Sequence, residues 1–296
     1  MQRLVVFTIS AVAALLTPGA HAQTASHLPG VLQVPDDAFR AMFTKEQLAY
    51  MSLDGASFSP DGHYLAIIVG DILSGEPEQV WRFDLTTHKL VAISAKPEHP
   101  YDPTIDGIGW IGDTLYTAAA RTPDGIERKF FLKTEGDTTT EIASIPADLP
   151  LGGFQDFSRQ VGPYTVEAVE LGKVGFNLVA GKTVLAKSTD NNWRTLDGPP
   201  TLIFSDPGSG SITVVDLKTL RRHQLSISAS EAGILAAQRT PTGFLLAYSV
   251  PDACQPAESP APGIQKPQER HVKAVCIVDL PYRGPHLITS RKATAK

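Results

Sequence analysis

Nucleophilic serine chemistry would require a recognisable motif in this chain. A serine hydrolase places its nucleophile on a sharp turn flanked by glycines, in the pattern G-x-S-x-G. That pattern is absent from the sequence. The nearest approach to it, Gly208-Ser209-Gly210-Ser211, has a different spacing and is typical of a hairpin turn. We therefore expect no catalytic serine.

Histidine and carboxylate side chains could instead bind a metal or transfer protons. Six histidines are scattered at predicted turns and strand ends, where solvated surface is their ordinary environment: His63, His88, His99, His223, His271 and His286. Three aspartates stand at equivalent strand ends: Asp84, Asp216 and Asp279. Aspartates at such positions commonly accept hydrogen bonds from the backbone of the following turn. We predict that these three cap turns and are not catalytic.

A calcium site is the alternative that the acidic residues leave open. Asp102, Asp106 and Asp113 lie near one end of a predicted sheet. Carboxylate oxygens are ligands that Ca²⁺ prefers. The main expectation is nevertheless that the chain has no metal ligands, no cofactor-binding residues and no cofactor.

The N-terminus has the pattern of a secretory signal peptide. Arg3 gives a short basic start, Leu4 to Leu16 is apolar, and Ala20-His21-Ala22 is a typical cleavage site. Thr17-Pro18-Gly19 ends the apolar stretch well before the roughly 20 residues that a membrane helix needs. We predict cleavage after Ala22 and a periplasmic or secreted protein without a transmembrane segment.

The two cysteines, Cys254 and Cys276, would both remain after this cleavage. In an oxidising compartment an even number of cysteines favours a disulfide. Two buried thiols are the alternative, and a metal site is disfavoured because no histidine pair lies nearby at ligand spacing. We expect a Cys254–Cys276 bridge at the base of the proline-rich insertion Pro251 to Arg270.

The charge balance excludes some classes of partner. The full chain carries 26 basic and 31 acidic side chains, a net charge of −5. Cleavage would remove only Arg3 and change the net charge to −6. A mildly acidic chain offers no electrostatic attraction to nucleic acid or to an anionic membrane.

The elements that would position any functional residue are short β-strands. The turn Ser59-Pro60-Asp61-Gly62 leads into the apolar strand His63 to Val69, which we place innermost in its sheet. An alternating strand, Gln79 to Leu85, and an outer strand, Leu90 to Ile93, would complete a four-stranded blade. Weaker copies of this pattern follow along the chain.

Five such modules are visible. They begin near His63, Asp113, Tyr164, Thr201 and Phe244. The intervals of 50, 51, 37 and 43 residues fall within the range of propeller blades. In the third module the alternation of Thr165 to Glu170 predicts a strand with one wet face, and therefore an exposed or poorly closed blade.

The motif Phe58 to Gly62, followed by an apolar strand and a strand ending in Phe83-Asp84-Leu85, resembles the repeat of TolB-type propellers. It also resembles the propeller domain of prolyl-oligopeptidase-type peptidases. Asp36 to Gly62 is similar to the lead-in segment of those peptidase propellers. We expect no peptidase activity, because the 16 residues after the fifth module are too few for a hydrolase domain.

The predicted fold is all-β: a β-propeller of four-stranded antiparallel blades, five by direct count or six by analogy with TolB-type rings. A short helix is expected within Ala38 to Tyr50, after the caps Asp36-Asp37. The predicted organisation is a signal peptide (1–22), a leader with the short helix (23–50), one propeller domain (51–290) and a tail (291–296). Ring closure would use a strand from Val31 to Val34 or from His286 to Thr289, since closure removes the last open edge. Trp81, Trp110 and Trp193 are expected to pack between blades.

The function predicted from this resemblance is an exported, non-catalytic propeller that binds or scaffolds a protein or envelope ligand of unknown identity. One alternative is a propeller hydrolase or lyase with a metal centred in the channel, and another is a regulatory relic of a peptidase propeller. Four loops are the candidate binding surface: Asp71 to Glu78, Lys96 to Thr104, Thr122 to Glu127 and Pro251 to Arg270.

Overall fold

The computed structural model consists of five four-stranded antiparallel β-sheets. It describes residues 31–35, 37, 41, 51–71, 79–93, 104–121, 126–153, 157–170, 175–189, 192–206, 211–226, 233–251, 254 and 273–281. Within these residues the all-β prediction and the count of five four-stranded sheets are confirmed.

Twenty strands form these sheets. In chain order they are β1 Leu32–Gln33, β2 Met51–Phe58, β3 Tyr64–Asp71, β4 Gln79–Asp84, β5 Leu90–Ala92, β6 Thr104–Ile111, β7 Thr114–Arg121, β8 Arg128–Glu135, β9 Thr138–Ile142, β10 Ser158–Val161, β11 Tyr164–Glu170, β12 Phe176–Ala180, β13 Thr183–Thr189, β14 Trp193–Leu196, β15 Thr201–Asp206, β16 Ser211–Asp216, β17 Arg222–Ser226, β18 Gly233–Arg239, β19 Gly243–Pro251 and β20 Lys273–Pro281.

Each sheet is one blade. Blades 1 to 4 are β2–β5, β6–β9, β10–β13 and β14–β17, and blade 5 is β18–β20 with β1 added at its outer edge. The first strands of the blades lie side by side: β18 packs beside β2 and β14, and β10 packs beside β14. Residues from all five first strands line one central cavity. This is the arrangement of a propeller, with β2, β6, β10, β14 and β18 innermost.

Blade 1 begins one strand earlier than predicted. The innermost strand is β2, and the strand predicted to be innermost, His63 to Val69, corresponds to β3 in second place. The register of β2 shifts between Leu53 and Gly55, and its burial does not alternate from residue to residue. A strand with such a bulge lacks the period-two pattern by which strands are recognised in a sequence.

The turn between β2 and β3 has the predicted chemistry. The Asp61 carboxylate accepts hydrogen bonds from the Ser59 hydroxyl at 2.6 Å and from the His63 N–H at 3.0 Å. Gly62 has a φ of 74°, which glycine adopts without a Cβ clash. Burial raises the pKa of Asp61, but these hydrogen bonds and the nearby His63 outweigh it and hold the pKa below its usual value.

The ring is closed by the leader strand. In β1, Leu32 pairs with Ile277 and Gln33 pairs with Cys276 of β20. The Val34 N–H, one residue further on, donates to the Val275 carbonyl at 2.9 Å. Closure by the leader is therefore confirmed, and the other predicted closing segment, His286 to Thr289, lies outside the described residues.

The hydrophobic core consists of clusters between neighbouring blades. Separate clusters join blade 5 to blade 1, blade 1 to blade 2, blade 3 to blade 4 and blade 4 to blade 5. Among the described residues, no cluster of this kind joins blade 2 to blade 3. In β11, Val166 is buried whereas Thr165, Glu167 and Val169 are exposed, which confirms the predicted wet face of blade 3.

Several predictions concern residues that the structure does not describe. The signal peptide and the tail are among them, as is most of the helix predicted within Ala38 to Tyr50. The Ala41 N–H donates to the Asp37 carbonyl at 3.0 Å, but no N-terminal helix is seen among the described residues. The part of the chain that is described contains no helix long and apolar enough to cross a membrane.

Candidate functional site

A cavity of about 300 Å³ lies at the centre of the ring. Each of the five blades contributes to its wall through its innermost strand; the contributors include Ser57 of β2, Trp110 of β6, Arg159 of β10, Arg194 and Thr195 of β14, and Gln238 of β18. This volume is at the lower end of the range for small-ligand pockets. The cavity can therefore accept a side chain, a short peptide segment or a small molecule.

A segment that we call the strap, residues 149–153, forms part of the cavity wall. Gly152 and Ile108 of β6 exchange two backbone hydrogen bonds, of 2.8 and 3.0 Å. The Ala56 N–H of β2 donates to the Gly153 carbonyl at 2.9 Å. The strap thus joins the inner edges of blades 1 and 2 through backbone pairing.

Close packing requires glycine at the end of the strap. Gly153 has a φ of 98°, and a Cβ added there would lie 2.7 Å from Cγ1 of Ile108. Gly109 of β6 is restricted by space as well, because a Cβ added there would lie 2.9 Å from the Pro150 carbonyl oxygen. Larger residues at these positions would push the strap away from β6.

We expect Gly153→Ala to destabilise the protein more than Gly181→Ala does. Both glycines have positive φ, 98° and 58°, but an added Cβ at Gly181 meets nothing within 4 Å. Both variants are therefore strained in the backbone, more so at 98°, which lies outside the left-handed region that L residues can reach, and the clash with Ile108 should add about 1–3 kcal/mol in Gly153→Ala. Urea unfolding of both variants measures the difference. Equal losses of stability would show that the strap does not pack tightly on β6.

The charged side chains on the cavity wall are both basic. Arg159 and Arg194 line the cavity, and no aspartate or glutamate does so within the described part of the chain. The guanidinium of Arg194 donates to the Leu235 carbonyl through Nε at 3.0 Å and through Nη2 at 2.6 Å. Its Nη1 donates to the Trp193 carbonyl at 2.8 Å. These bonds hold the Arg194 charge in place between blades 4 and 5.

Aromatic packing supports the cavity from outside. The rings of Tyr64 and Trp110 are stacked with their centroids 6.2 Å apart. The guanidinium of Arg82 lies over the Tyr64 ring, 4.8 Å from its centroid. Trp110 packs against the cluster between blades 1 and 2, while Trp81 and Trp193 are buried members of two other clusters. The prediction that the three tryptophans pack between blades is confirmed.

An ion-pair network ties blade 1 to blade 2 behind this aromatic stack. Asp137, in the turn between β8 and β9, accepts a hydrogen bond from Lys89 at 2.8 Å and one from the buried Arg82 at 3.1 Å. The hydrogen bond from Lys89 and its charge hold the pKa of Asp137 below its usual value. The arrangement is structural, and it fixes Arg82 against Tyr64.

The aspartates at strand ends act as turn caps where the structure shows their contacts. The Asp84 carboxylate accepts from the Thr86 and Thr87 N–H groups at 2.8 and 2.9 Å. Burial raises the pKa of Asp84, but these bonds outweigh it and lower the pKa overall. Asp216 accepts from the N–H of Thr219 at 2.7 Å. The predicted capping role is confirmed for Asp84 and Asp216.

The acidic residues considered for calcium are not brought together. Asp106 lies near the start of β6 and forms an ion pair with Lys129 at 3.3 Å. Asp113 lies past the far end of the same strand, about 20 Å away at the usual rise of a strand. Asp102 is outside the described residues. Nowhere among the residues that are described do three His, Cys, Asp or Glu side chains cluster as a metal site would require.

Cys254 and Cys276 form a disulfide with their Cα atoms 5.5 Å apart. Gly208 to Gly210 lie outside the described residues; the strands on either side of them, β15 and β16, pair antiparallel as far as Asp206 and Ser211. The four loops proposed as a binding surface lie mostly outside the described residues.

The cavity arginines and the strap were not predicted. Arg159 belongs to the least regular module, and Arg194 lies in a four-residue strand, so neither is marked by a motif. The adjacent Gly152-Gly153 pair, outside any predicted strand or hairpin turn, is the one signal that could have indicated a close backbone approach.

Comparison with known proteins does not assign the chain to a family. No protein-family model matches it, and no curated protein matches it in sequence. Solved structures with some likeness include an isopeptidase, AtxE2, at 16% identity and a TM-score of 0.35, covering 68% of this chain and 37% of that chain. TolB from Acinetobacter baumannii has 12% identity and a TM-score of 0.27, covering 78% and 55%. A puromycin-hydrolyzing peptidase from Mycobacterium tuberculosis has 16% identity and a TM-score of 0.25, covering 68% and 34%.

The chain spans between about a third and about a half of the length of these three proteins. At such TM-scores the likeness adds nothing to the architecture seen directly in the sheets. The five-bladed fold and its basic central cavity are therefore the findings on which a function can be argued.

Proposed function

We propose that this protein is an exported, non-catalytic propeller that binds a protein or envelope ligand at its central cavity. The observation that carries the proposal is the cavity wall, to which all five blades contribute. Hydrophobic clusters join four neighbouring pairs of blades, the strap pairs with blades 1 and 2, and scaffolds with concave centres are common binding sites. Export rests on the pattern of residues 1–22, and the disulfide is compatible with an oxidising compartment.

The test is capture of partners from the native envelope fraction by wild-type protein and by a cavity-filling variant. Gln238→Trp places a large ring at a half-buried position of the cavity wall. Gln224→Trp makes the same change on the exposed outer strand β17 and is the matched control. We expect one partner to bind wild type and Gln224→Trp but not Gln238→Trp. A partner that binds all three equally would place binding elsewhere.

The metal-dependent alternative has its own test. Elemental analysis of the purified protein is expected to show no stoichiometric calcium or zinc. Tightly bound metal at one equivalent would contradict the non-catalytic proposal and favour a hydrolase or lyase centred in the channel. Co-purification with a separate peptidase chain would instead favour the regulatory relic.

A further inference from the structure

We propose that the outer edges of blades 3 and 4 form a surface that docks onto an anionic lipid bilayer. The surface consists of five exposed cations, which we call the basic rim: Lys182 and Lys187 of blade 3, and Lys218, Arg221 and Arg222 of blade 4. None of the five lines the central cavity, so the proposal does not depend on what the cavity binds. It is carried by the charge of the rim, by an exposed apolar side chain among the cations, and by a comparison with blade 1.

One hydrogen bond joins the outer strands of the two blades. Nη2 of Arg222, the first residue of β17, donates to the Leu185 carbonyl of β13 at 2.6 Å. Lys187 and Lys182 lie two residues after and three residues before Leu185, about 7 and 10 Å away at the usual rise of a strand. Arg221 immediately precedes the bonded arginine. These cations therefore belong to one continuous surface across two blades.

The basic rim has no acidic counterpart among the described residues. The ion pairs in that part of the chain are made by cations of blades 1 and 2, namely His63, Arg82, Lys89, Lys129 and Lys133. The Leu185 carbonyl that Arg222 binds is neutral. The carboxylate nearest in sequence to the blade 4 cations, Asp216, is 3% exposed and accepts hydrogen bonds from the N–H and the hydroxyl of Thr219. The rim is therefore a basic patch on an acidic protein.

The net charge of the chain, −5, does not prevent this patch from meeting an anionic surface. The electrostatic attraction expected from net charge is an average over the whole molecule. The potential of an anionic bilayer falls off within a Debye length, about 8 Å at physiological salt. Only the groups that face the bilayer at that distance contribute, and on this surface they are cations.

An exposed leucine lies among the cations of blade 4. Leu220 is 49% exposed and has a φ of 57°, in the left-handed region that leucine rarely adopts. It belongs to the β16–β17 turn together with Lys218 and Arg221. Val184 of β13 adds a second exposed apolar side chain, at 42%. Apolar side chains flanked by cations suit a bilayer, because the cations attract the headgroup phosphates while the apolar groups enter the headgroup boundary.

The equivalent turn of blade 1 has no such unused side chains. His88 has a φ of 58°, and its N–H bonds the aspartate carbonyl four residues earlier, as the N–H of Leu220 does in blade 4. The His88 ring stacks on Phe83, and the next residue, Lys89, bonds Asp137 at 2.8 Å. Among the described residues, Leu220 has no aromatic contact and the arginine after it has no ion pair. The blade 1 turn is satisfied within the protein, whereas the blade 4 turn presents the same two positions to an external surface.

The test is co-sedimentation of the exported protein with phosphatidylcholine vesicles that contain or lack phosphatidylglycerol. Mass spectrometry first confirms that the apolar residues 4–16 have been removed, because they would bind a bilayer themselves. The variant is Arg221→Glu. Its matched control, Arg128→Glu, makes the same change of charge at an exposed position of blade 2. Circular dichroism checks that both variants are folded.

We expect wild type and Arg128→Glu to bind the vesicles with phosphatidylglycerol, and Arg221→Glu to bind them at least about tenfold more weakly. Vesicles of phosphatidylcholine alone should bind none of the three, and high salt should weaken the binding. Equal effects of the two charge reversals would overturn the proposal, as would a wild type that binds neither kind of vesicle. Gln238→Trp should bind vesicles as wild type does, and its failure to bind would overturn the proposal by moving the lipid contact to the cavity.

Leu220→Asn distinguishes a bilayer from an acidic polypeptide. Asparagine adopts a positive φ more readily than leucine, so the turn should tolerate it. Ile126→Asn is the matched control at another exposed apolar position, which is 59% exposed. We expect Leu220→Asn to weaken vesicle binding at least about threefold and Ile126→Asn to leave it unchanged. Binding of soluble polyglutamate by wild type, together with vesicle binding that Leu220→Asn does not weaken, would overturn the bilayer in favour of an acidic polypeptide.

Discussion

An aspartate in place of Val34 is expected to lower the free energy of unfolding by about 4 kcal/mol or to prevent folding altogether. Val34, which follows the closing strand β1, is fully buried, and its N–H donates to the Val275 carbonyl of β20. It belongs to the cluster that joins blade 5 to blade 1. A carboxylate there would have to be buried without a partner or would pull the closing strand away from β20.

The matched control for this variant is Val184→Asp. Val184 lies on β13, the outer strand of blade 3, and 42% of its surface is exposed. The same chemical change at that position should cost less than about 1 kcal/mol, because the carboxylate stays in water. Guanidinium unfolding followed by tryptophan fluorescence measures both variants. Similar losses in the two would mean that the leader strand contributes little to closure.

Val34→Ala separates the effect of the charge from the effect of closure itself. It keeps the backbone hydrogen bond to Val275 and removes only the two methyl groups, at an expected cost of about 1–2 kcal/mol. Hydrogen exchange at the amides of β20 should speed up in this variant while exchange in blade 3 stays unchanged. Uniform acceleration throughout the protein would show that the ring opens only by global unfolding.

The short segment around β1 has a large expected effect on stability because it closes the ring from the other end of the chain. Blade 5 receives three strands from residues 233–281 and its fourth from residues 32–33. Without β1, β20 would present an open strand edge, and the cluster between blades 5 and 1 would lose Val34. The two ends of the propeller are thus held together by the first described strand of the chain.

Local turn chemistry explains most of what could be predicted from the sequence. The turn at Asp61 and Gly62 and the caps at Asp84 and Asp216 depend on bonds within a few residues, so their residue types alone indicate them. The wet face of β11 also follows from a simple alternation of polar and apolar residues. Repetition of these local signals was enough to predict five four-stranded sheets.

What could not be predicted depends on contacts between distant segments. The innermost position of β2 could not be predicted, because the bulge at Leu53 to Gly55 interrupts its period-two pattern. That position follows from the packing of β18 beside β2. The strap joins residues about 45 and 100 positions apart in sequence, from Ile108 and Ala56 to Gly152-Gly153. Arg159 and Arg194 become a pair only because the ring brings blades 3 and 4 to one cavity.

Reduction of the Cys254–Cys276 disulfide is expected to lower the free energy of unfolding by about 3 kcal/mol. The two residues are 22 positions apart, and the bridge restricts that loop in the unfolded chain. Guanidinium unfolding with and without a reductant measures the effect, and the double variant Cys254→Ala/Cys276→Ala should reproduce it. Titration of two reactive thiols in denatured, exported protein would show instead that the bridge does not form in the cell.

The bridge should also act on ring closure, because it lies beside the closing strand. Cys276 is fully buried in β20 opposite Gln33 of β1, and the Cys254 N–H donates to the side-chain oxygen of Gln33 at 3.2 Å. Loss of the bridge therefore weakens a contact that holds β1 against β20. Val34→Ala removes apolar contacts of the residue that follows β1. Residues that share a contact are not energetically independent, so the combined loss should differ from the sum of the separate losses by at least about 0.5 kcal/mol. Strict additivity would show that the disulfide stabilises only through the unfolded chain and leaves closure to the hydrophobic cluster and the strand pairing.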